Sequence, residues 1–295
     1  MHNWDDVRVF LAVARAGSLS AASPKLRMDP ATLGRRMARL EEGLGAALFV
    51  KSPQGYVLTE RGHDMQQQAE TAEAALVRAL ETGQAADAGL SGQIRIGAPD
   101  GCANFLLPQV CARLQADNPG LEVQILALPR VVNLSQREAD MAITVSPPKA
   151  GRLTVRRISD YRLHLAQHRE AEPINDPAQL KDRGIVGYIP DMIFDKELDY
   201  LGQMAAGGVQ LASNSVSVQL QMLRASRAVG FVHDFALPFA PELGRVLADR
   251  VSLTRSFYLV RHRADRGSAR LDAVADALTA GLKAEIARLE ASLPD

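Results

Sequence analysis

Between Phe10 and Gly62 two short helical segments meet at a tight connection, the second carries three arginines, and a β-ribbon pattern follows at once. This ordering constrains the chain more than any other feature. A helix is narrow enough for the major groove of duplex DNA, and a ribbon beside it reaches the adjacent backbone. Ser18 is a good N-cap for the first segment, which places Leu19, Ala22 and Leu26 at helical spacing and holds Pro24, limiting it to about two turns. Asp29-Pro30 opens the second, with an N-cap residue followed by proline at the first helical position. Leu33, Met37, Leu40 and Leu44 then form one apolar stripe. Thr32, Arg35, Arg36 and Arg39 lie off that stripe and are expected to face outward. Arginine forks onto guanine edges and also pairs with phosphates; the alternative is that these arginines only solvate a helix face.

Residues 48–51 and 56–59 flank the Pro/Gly-containing turn 52–55, a hairpin signal, with Lys51 placed to touch a phosphate. Thr59 is positioned to cap a new helix with Glu60 in its first turn. Beyond Gly62 the composition shifts to alanine, glutamine and glutamate. Met65, Ala69, Ala72, Leu76 and Ala79 recur at steps of four and three, continued by Gly83 and Ala86. That is the seam of a two-helix coiled coil, or else the packed face of an amphipathic helix on its own domain. Residues 88–92 read as a hinge.

The motifs Ser18–Ala22, Leu33–Glu41, Leu44-Gly45, Leu48-Phe49 and Leu58-Thr59 through Gly62 resemble the N-terminal signature of LysR-type transcriptional regulators. The resemblance implies an α/β chain with an N-terminal winged helix-turn-helix, a linker helix and a two-lobed effector domain like a type II periplasmic binding protein. It divides the chain into a DNA-binding domain (1–62), a dimerisation helix and hinge (63–90) and an effector domain (91–295). Within the last, lobe I covers about 91–160 and 262–295, and lobe II about 161–261. The DNA-facing set is then Ser18, Ser20, Pro30, Ala31, Thr32, Gly34, Arg35, Arg36, Arg39 and Lys51. Arg35 matches the family's DNA-contacting arginine. Asp29-Pro30 stands where the family usually has Ser-Gln, and Gly34 where it usually has Ser. The implied partners are double-stranded DNA, a small-molecule effector (often an organic acid) and further copies of the chain in a homodimer or homotetramer.

From Gln93 onward strands and helices alternate, a rhythm that predicts a largely parallel sheet covered by helices. The predicted strands include 93–98, 121–128, 141–145, 162–167, 184–189 and 257–261. The predicted helices include 105–116, 216–223 and a terminal one over 269–289, expected to return to lobe I. Ligands of open α/β sheets bind beyond the C-terminal ends of strands. The residues that follow each strand are therefore the effector-binding candidates: Pro99, Asp100, Cys102, Asn104, Arg130, Thr144 and Ser146 in lobe I, and Tyr188, Asp191, Asn214, Ser215 and His233 in lobe II. The free amides at the start of the helix after Asn214-Ser215 suit an anion. Asp100 argues the other way, because its carboxylate repels an acidic ligand unless it is paired.

The net charge is zero, unevenly spread: residues 1–62 hold nine Lys/Arg against six Asp/Glu, a net of +3, and the remainder carries −3. A modestly positive reading head suits a binder of a limited operator. No apolar run reaches bilayer length and the N-terminus is acidic, which predicts a cytoplasmic protein without a membrane partner. Cys102 and Cys111 suit a reducing compartment and are expected to be small buried thiols; redox switching is the alternative. His164 and His168 lack a carboxylate to complete a metal set, no cofactor is implied, and no nucleophile, metalloprotease or phosphate-loop motif points to catalysis. The competing function classes are a non-DNA-binding solute receptor, a cysteine-based redox regulator, and an enzyme that uses the two-lobed cleft.

Overall fold

The computed structural model describes residues 3–52, 55–81, 89–127, 134, 138–148, 151–193, 195–200 and 208–293. They fall into two compact units, one centred on Met1–Asp87 and the other built from Ala88–Leu134, Glu138–Arg263 and Ala269–Asp295. Each has its own hydrophobic core.

The first unit begins with α1 (Trp4–Ala16), capped by Asn3, whose side chain accepts from the Asp5 amide at 3.0 Å, and ended by Gly17 at φ 72°. The two acids in its first turn, Asp5 and Asp6, suit the positive end of the helix dipole. Ser18 caps α2 (Leu19–Leu26) through the Ala21 amide at 3.1 Å. Asp29 caps α3 (Pro30–Leu44) through the Thr32 amide at 2.8 Å. Leu33, Met37 and Leu40 of α3 are buried against Phe10, Leu11 and Val13 of α1 and Ala22 of α2, so the apolar stripe faces the core as its spacing predicts. Glu41 accepts the Leu48 and Phe49 amides at 2.7 and 3.1 Å, which sets the start of the ribbon β1 (Phe49–Ser52) and β2 (Gly55–Leu58). Gly55 has φ 122°, and a Cβ there would collide with the Gly17 carbonyl, which instead accepts the Tyr56 amide at 2.8 Å. That contact seats the wing on the α1–α2 turn.

Thr59 donates to the Ala47 carbonyl and accepts from the Gly62 amide at 2.9 Å, starting α4 (Glu60–Glu81). Part of the coiled-coil seam is spent inside this unit: Ala69 is buried and Met65 half-buried in the same core. Arg15 forks onto Glu73 of α4 at 3.2 and 2.6 Å and anchors the helix to α1. Only the later seam residues Ala72, Leu76 and Ala79 are exposed. Gly83 and Ala86 lie outside the described residues, as does most of the hinge turn's neighbourhood at 82–88.

The second unit holds β3 (Gly92–Ala98), α5 (Asp100–Phe105), α6 (Leu107–Asp117), β4 (Leu121–Ala127) and β5 (Met141–Thr144). Then come β6 (Leu153–His168), β7 (Val186–Gly187), β8 (Leu211–Ala212), α7 (Val216–Arg224), β9 (Val229–His233), β10 (Leu243–Arg245), β11 (Ser252–His262) and α8 (Ala269–Ala291). The main sheet runs β10-β6-β11-β5-β3-β4, with β9 also on β6, and β7 pairs β8. Here the expected largely parallel sheet is corrected. β3 pairs β4 and β5 in parallel, but every pairing made by β6 and β11 is antiparallel. The reason is the length of two strands. β6 has 16 residues where the alternation suggested six, and β11 has 11; side by side they run through both lobes and join them into one sheet. The helix expected over 105–116 is α6, and it is preceded by the separate short helix α5, the two being broken at Leu106, whose φ/ψ of −117°/−52° leaves the α5 axis.

The terminal helix α8 packs on α6, with Arg113 donating to Glu285 at 3.1 Å, and its later part meets the 3-10 turn Asp234–Phe239 as well. The Arg113 and Arg288 guanidiniums hold the Glu285 carboxyl below the usual carboxylate range, Arg288 being the larger cause.

Candidate DNA-reading face and effector cleft

Around α3 the three arginines are not equivalent. Arg35 is exposed, and its guanidinium donates to Thr32 Oγ1 at 2.9 Å, while Thr32 donates to Asp29 at 2.7 Å. Those bonds hold the Asp29 carboxyl below its ordinary range, the Thr32 hydroxyl being the larger cause. Arg39 Nε donates to Asp6 at 2.8 Å, with a second, shorter bond from its Nη2, and Arg36 Nη1 stands 3.6 Å from Asp6 and 3.8 Å from Asp5. All three arginines lie off the buried stripe, as their spacing predicts, and Arg36 and Arg39 are in addition ion-paired to α1. Asp6 is buried and survives there because two cations compensate it. In the sequence Asp5-Asp6 marks only a polar N-terminus, since nothing in the spacing links residues 33 positions apart.

Ser20, Pro30 and Ala31 are exposed near the same end of α3, Ser18 is half-buried and occupied as a cap, and Gly34 is half-buried with Leu19 Cδ1 at 3.5 Å from where a Cβ would stand. A larger residue at Gly34 would lean on α2. The Lys51 side chain lies outside the described residues. We expect Asp6→Ala to cost about 1–3 kcal/mol, the scale of lost hydrogen bonds to a charged group, in a thermal melt of this unit.

In the second unit Asp100 of lobe I, bonded to Asn104, meets Ser215 of lobe II. Asp100, the first residue of α5, accepts at Oδ2 from Ser215 Oγ (3.1 Å), Ser217 N (3.0 Å) and Ser217 Oγ (3.3 Å), and at Oδ1 from Asn104 Nδ2 (3.1 Å). Ser215 is also the N-cap of α7. The carboxylate is thus paired, as an acid at that position must be. On the other side Ser146 donates to Asp195 of lobe II, and Thr144 donates to the Ser146 carbonyl at 2.8 Å. His233 is buried beside Gly101 and Val216, its Nε2 is 3.4 Å from Tyr200 Oη, and its Nδ1 has no hydrogen-bond partner among the described residues. Burial drives its pKa down to about 3, so the imidazole is neutral.

Aromatic rings continue from there. Tyr161 stacks on Phe257 with centroids 4.2 Å apart, Tyr200 meets Tyr188 edge-on at 5.7 Å, and burial keeps all three phenols protonated well above their usual pKa. A cavity of about 340 Å³ opens beside this cluster, walled by Tyr188, Tyr200, Phe231, Ile193, Leu198 and Gln219 among others. Its size falls within the range of small-molecule pockets.

Cys102 is fully buried and Pro99 is half-buried; Asn104 and Asp191 are exposed, and Asn214 is half-buried. Arg130 lies outside the described residues. Ser217, Asp195, Tyr200 and Phe231 were missed: the first stands one step inside a helix, and the others follow no recognisable strand end. Cys102 and Cys111 are free and buried on separate helices, and burial raises the Cys111 thiol to about 11 and Cys102 further, so neither is a reactive thiolate. His164 is tied to buried Asp234 at 2.8 Å. No group of metal-binding side chains occurs among the described residues.

Because His233 is neutral in the fold and takes up a proton once unfolded, stability should fall as pH drops below the unfolded pKa near 6.5 and stop falling near 3. One proton sets a maximum slope of about 1.4 kcal/mol per pH unit. Between pH 6.5 and 5, before carboxylates titrate, melting of His233→Phe should depend less on pH than that of the parent.

A winged helix-turn-helix on one unit and a two-lobed α/β cleft on the other define a DNA-binding regulator with a ligand-responsive domain. Residues 4–63 match the bacterial regulatory helix-turn-helix protein, lysR family, and residues 87–283 match the LysR substrate binding domain. The chain belongs to the LysR family of transcriptional regulators. It is 28% identical over 240 residues to the Mau operon transcriptional activator of Paracoccus denitrificans, covering 79% of this chain and 80% of that one. It is 29% identical over 148 residues to the regulator IlvY of Escherichia coli, a stretch spanning 49% of that protein. Among solved structures it resembles a full-length OxyR variant from Pseudomonas aeruginosa (TM-score 0.70, 16% identity, 96% and 98% of the two chains). CrgA from Neisseria meningitidis is also similar (TM-score 0.57, 19% identity, 96% and 99%).

Proposed function

We propose that the chain reads an operator through the exposed end of α3 and changes its grip when a small molecule enters the cavity of the second unit. The observation that carries this reading is Arg35: of the three arginines of α3 it alone has no acidic partner among the described residues, being held by the neutral hydroxyl of Thr32 at 2.9 Å. Its fork is pre-positioned and its charge uncompensated. Ser20, Pro30, Ala31 and Thr32 share that end with it, and Arg36 and Arg39 support the helix from α1. Lys51 is assigned to the DNA backbone through its place in the wing. In this scheme residues 1–62 read DNA, 63–90 link, and 91–295 sense, with the lobes parting near residue 160 where β6 passes from one to the other.

The exposed part of α4, with Leu76 at its centre, is the surface for a second copy in a homodimer or homotetramer. A dimer holds two reading helices at the spacing of successive half-sites. Sedimentation checks this: Leu76→Glu should shift the chain to monomer, and an unshifted dimer contradicts the assignment. No helix among the described residues is long and apolar enough to cross a membrane, which supports work in the cytoplasm beside the chromosome. Band-shift titration of the chain's own upstream DNA, with Arg35→Ala in parallel, tests the reading.

A further inference from the structure

Asp100 stands where a bound anion would stand. α7 has nine residues, and its first free amide, Ser217 N, points at Asp100 Oδ2 from 3.0 Å, with the hydroxyls of Ser215 and Ser217 completing the cradle. Helix starts of this kind bind carboxylates and phosphates because the amides and the dipole both favour negative charge. Here the charge comes from the opposite lobe. Asn104 takes the other carboxylate oxygen, so the donors of the cradle and the acceptor they need are matched within the protein. Asp195 of lobe II, accepting from Ser146 of lobe I, presents a second carboxylate across the same cleft. The buried Nδ1 of the neutral His233, without a hydrogen-bond partner among the described residues and packed against Gly101, is a hydrogen-bonding group with no charge to offer an anion.

We propose that Asp100 is a built-in occupant of the α7 anion cradle, clasping lobe I to lobe II, so that the effector is an uncharged or cationic molecule rather than a free carboxylate. A free acid would have to evict Asp100 and then sit beside it. A neutral or cationic ligand meets aromatic walls, Tyr188 and Tyr200, with the Asp199 carboxylate in the same lining. The ligand-class half of this proposal rests on the cleft being the effector site; the clasp does not.

The test is hydrogen exchange on the full chain, comparing the parent with Asp100→Ala and Asp100→Asn, in sodium acetate and in sodium chloride of equal ionic strength. Loss of a charged hydrogen bond should speed exchange at the Ser217 amide about tenfold or more in both variants. Acetate at tens of millimolar should slow it again where chloride does not, and acetate should leave the parent unchanged. Asp100→Asn keeps the side-chain volume and carries the test if Asp100→Ala does not fold, and amides of β3 report any global opening. Unchanged exchange in the variants, no rescue by acetate, or protection of the parent by acetate each overturns the proposal. Failure of the parent to bind any DNA would sink the regulator reading while leaving these exchange results standing.

Discussion

Replacing Arg35 with alanine should lower operator affinity roughly 10- to 100-fold, the equivalent of about 1–3 kcal/mol for one bidentate base contact. The fold should not notice. The side chain is exposed and its bond to Thr32 is that of an exposed pair, whereas the Asp29 cap, the Leu33/Met37/Leu40 stripe and the Arg36 and Arg39 ties to α1 all remain. Circular dichroism and melting should therefore match the parent while the band shift weakens. Discrimination between operator and random DNA should shrink as well, because a base contact rather than a phosphate contact is lost. Were Arg35 a phosphate ligand only, affinity would fall equally for all sequences and the salt slope would drop by about one.

The other large effect is on stability. Phe10→Ala should cost about 3–5 kcal/mol, the usual price of emptying a fully buried aromatic site. Phe10 is completely buried, its ring lies 5.4 Å from Phe49, and Phe49 in turn meets Tyr56 edge-on at 5.6 Å, so one ring ties α1 to both strands of the wing. A unit this small has little stability to lose. Its core is separate from that of the sensing unit. Calorimetry should therefore show the first unit melting early and DNA binding lost at growth temperature, with the aromatic core around Tyr161 and Phe257 unfolding at its original temperature.

How far the sequence could be read depended on whether the signal was local. Caps are local: Ser18, Asp29, Thr59 and Ser215 each bond an amide three residues on, and each was visible as a residue type at a helix start. The α3 stripe was visible for the same reason. Long-range pairing was not. Arg39 meets Asp6, Arg15 meets Glu73 and Asp100 meets Ser217, at separations of 33, 58 and 117 residues, and no periodicity announces such partners. The 16-residue β6 reads from the sequence as a strand only from Arg162 onward because Arg156, Arg157 and Asp160 interrupt the apolar alternation before it. In the structure those side chains face solvent or pair with α8, as Arg156 does with Asp276, and Arg162 likewise pairs with Glu290. The helix start at α7 was legible; that Asp100, 117 residues earlier, accepts its Ser217 amide was not.

The most direct test is selection of bound fragments from the genome that encodes the chain, run at two salt concentrations with the parent and Arg35→Ala. If α3 reads DNA, the parent should enrich a few sites with half-sites one helical turn or a multiple apart, enrichment should fall steeply with salt, and the variant should lose it. Uniform recovery of fragments, or the same sites recovered by Arg35→Ala, would contradict it.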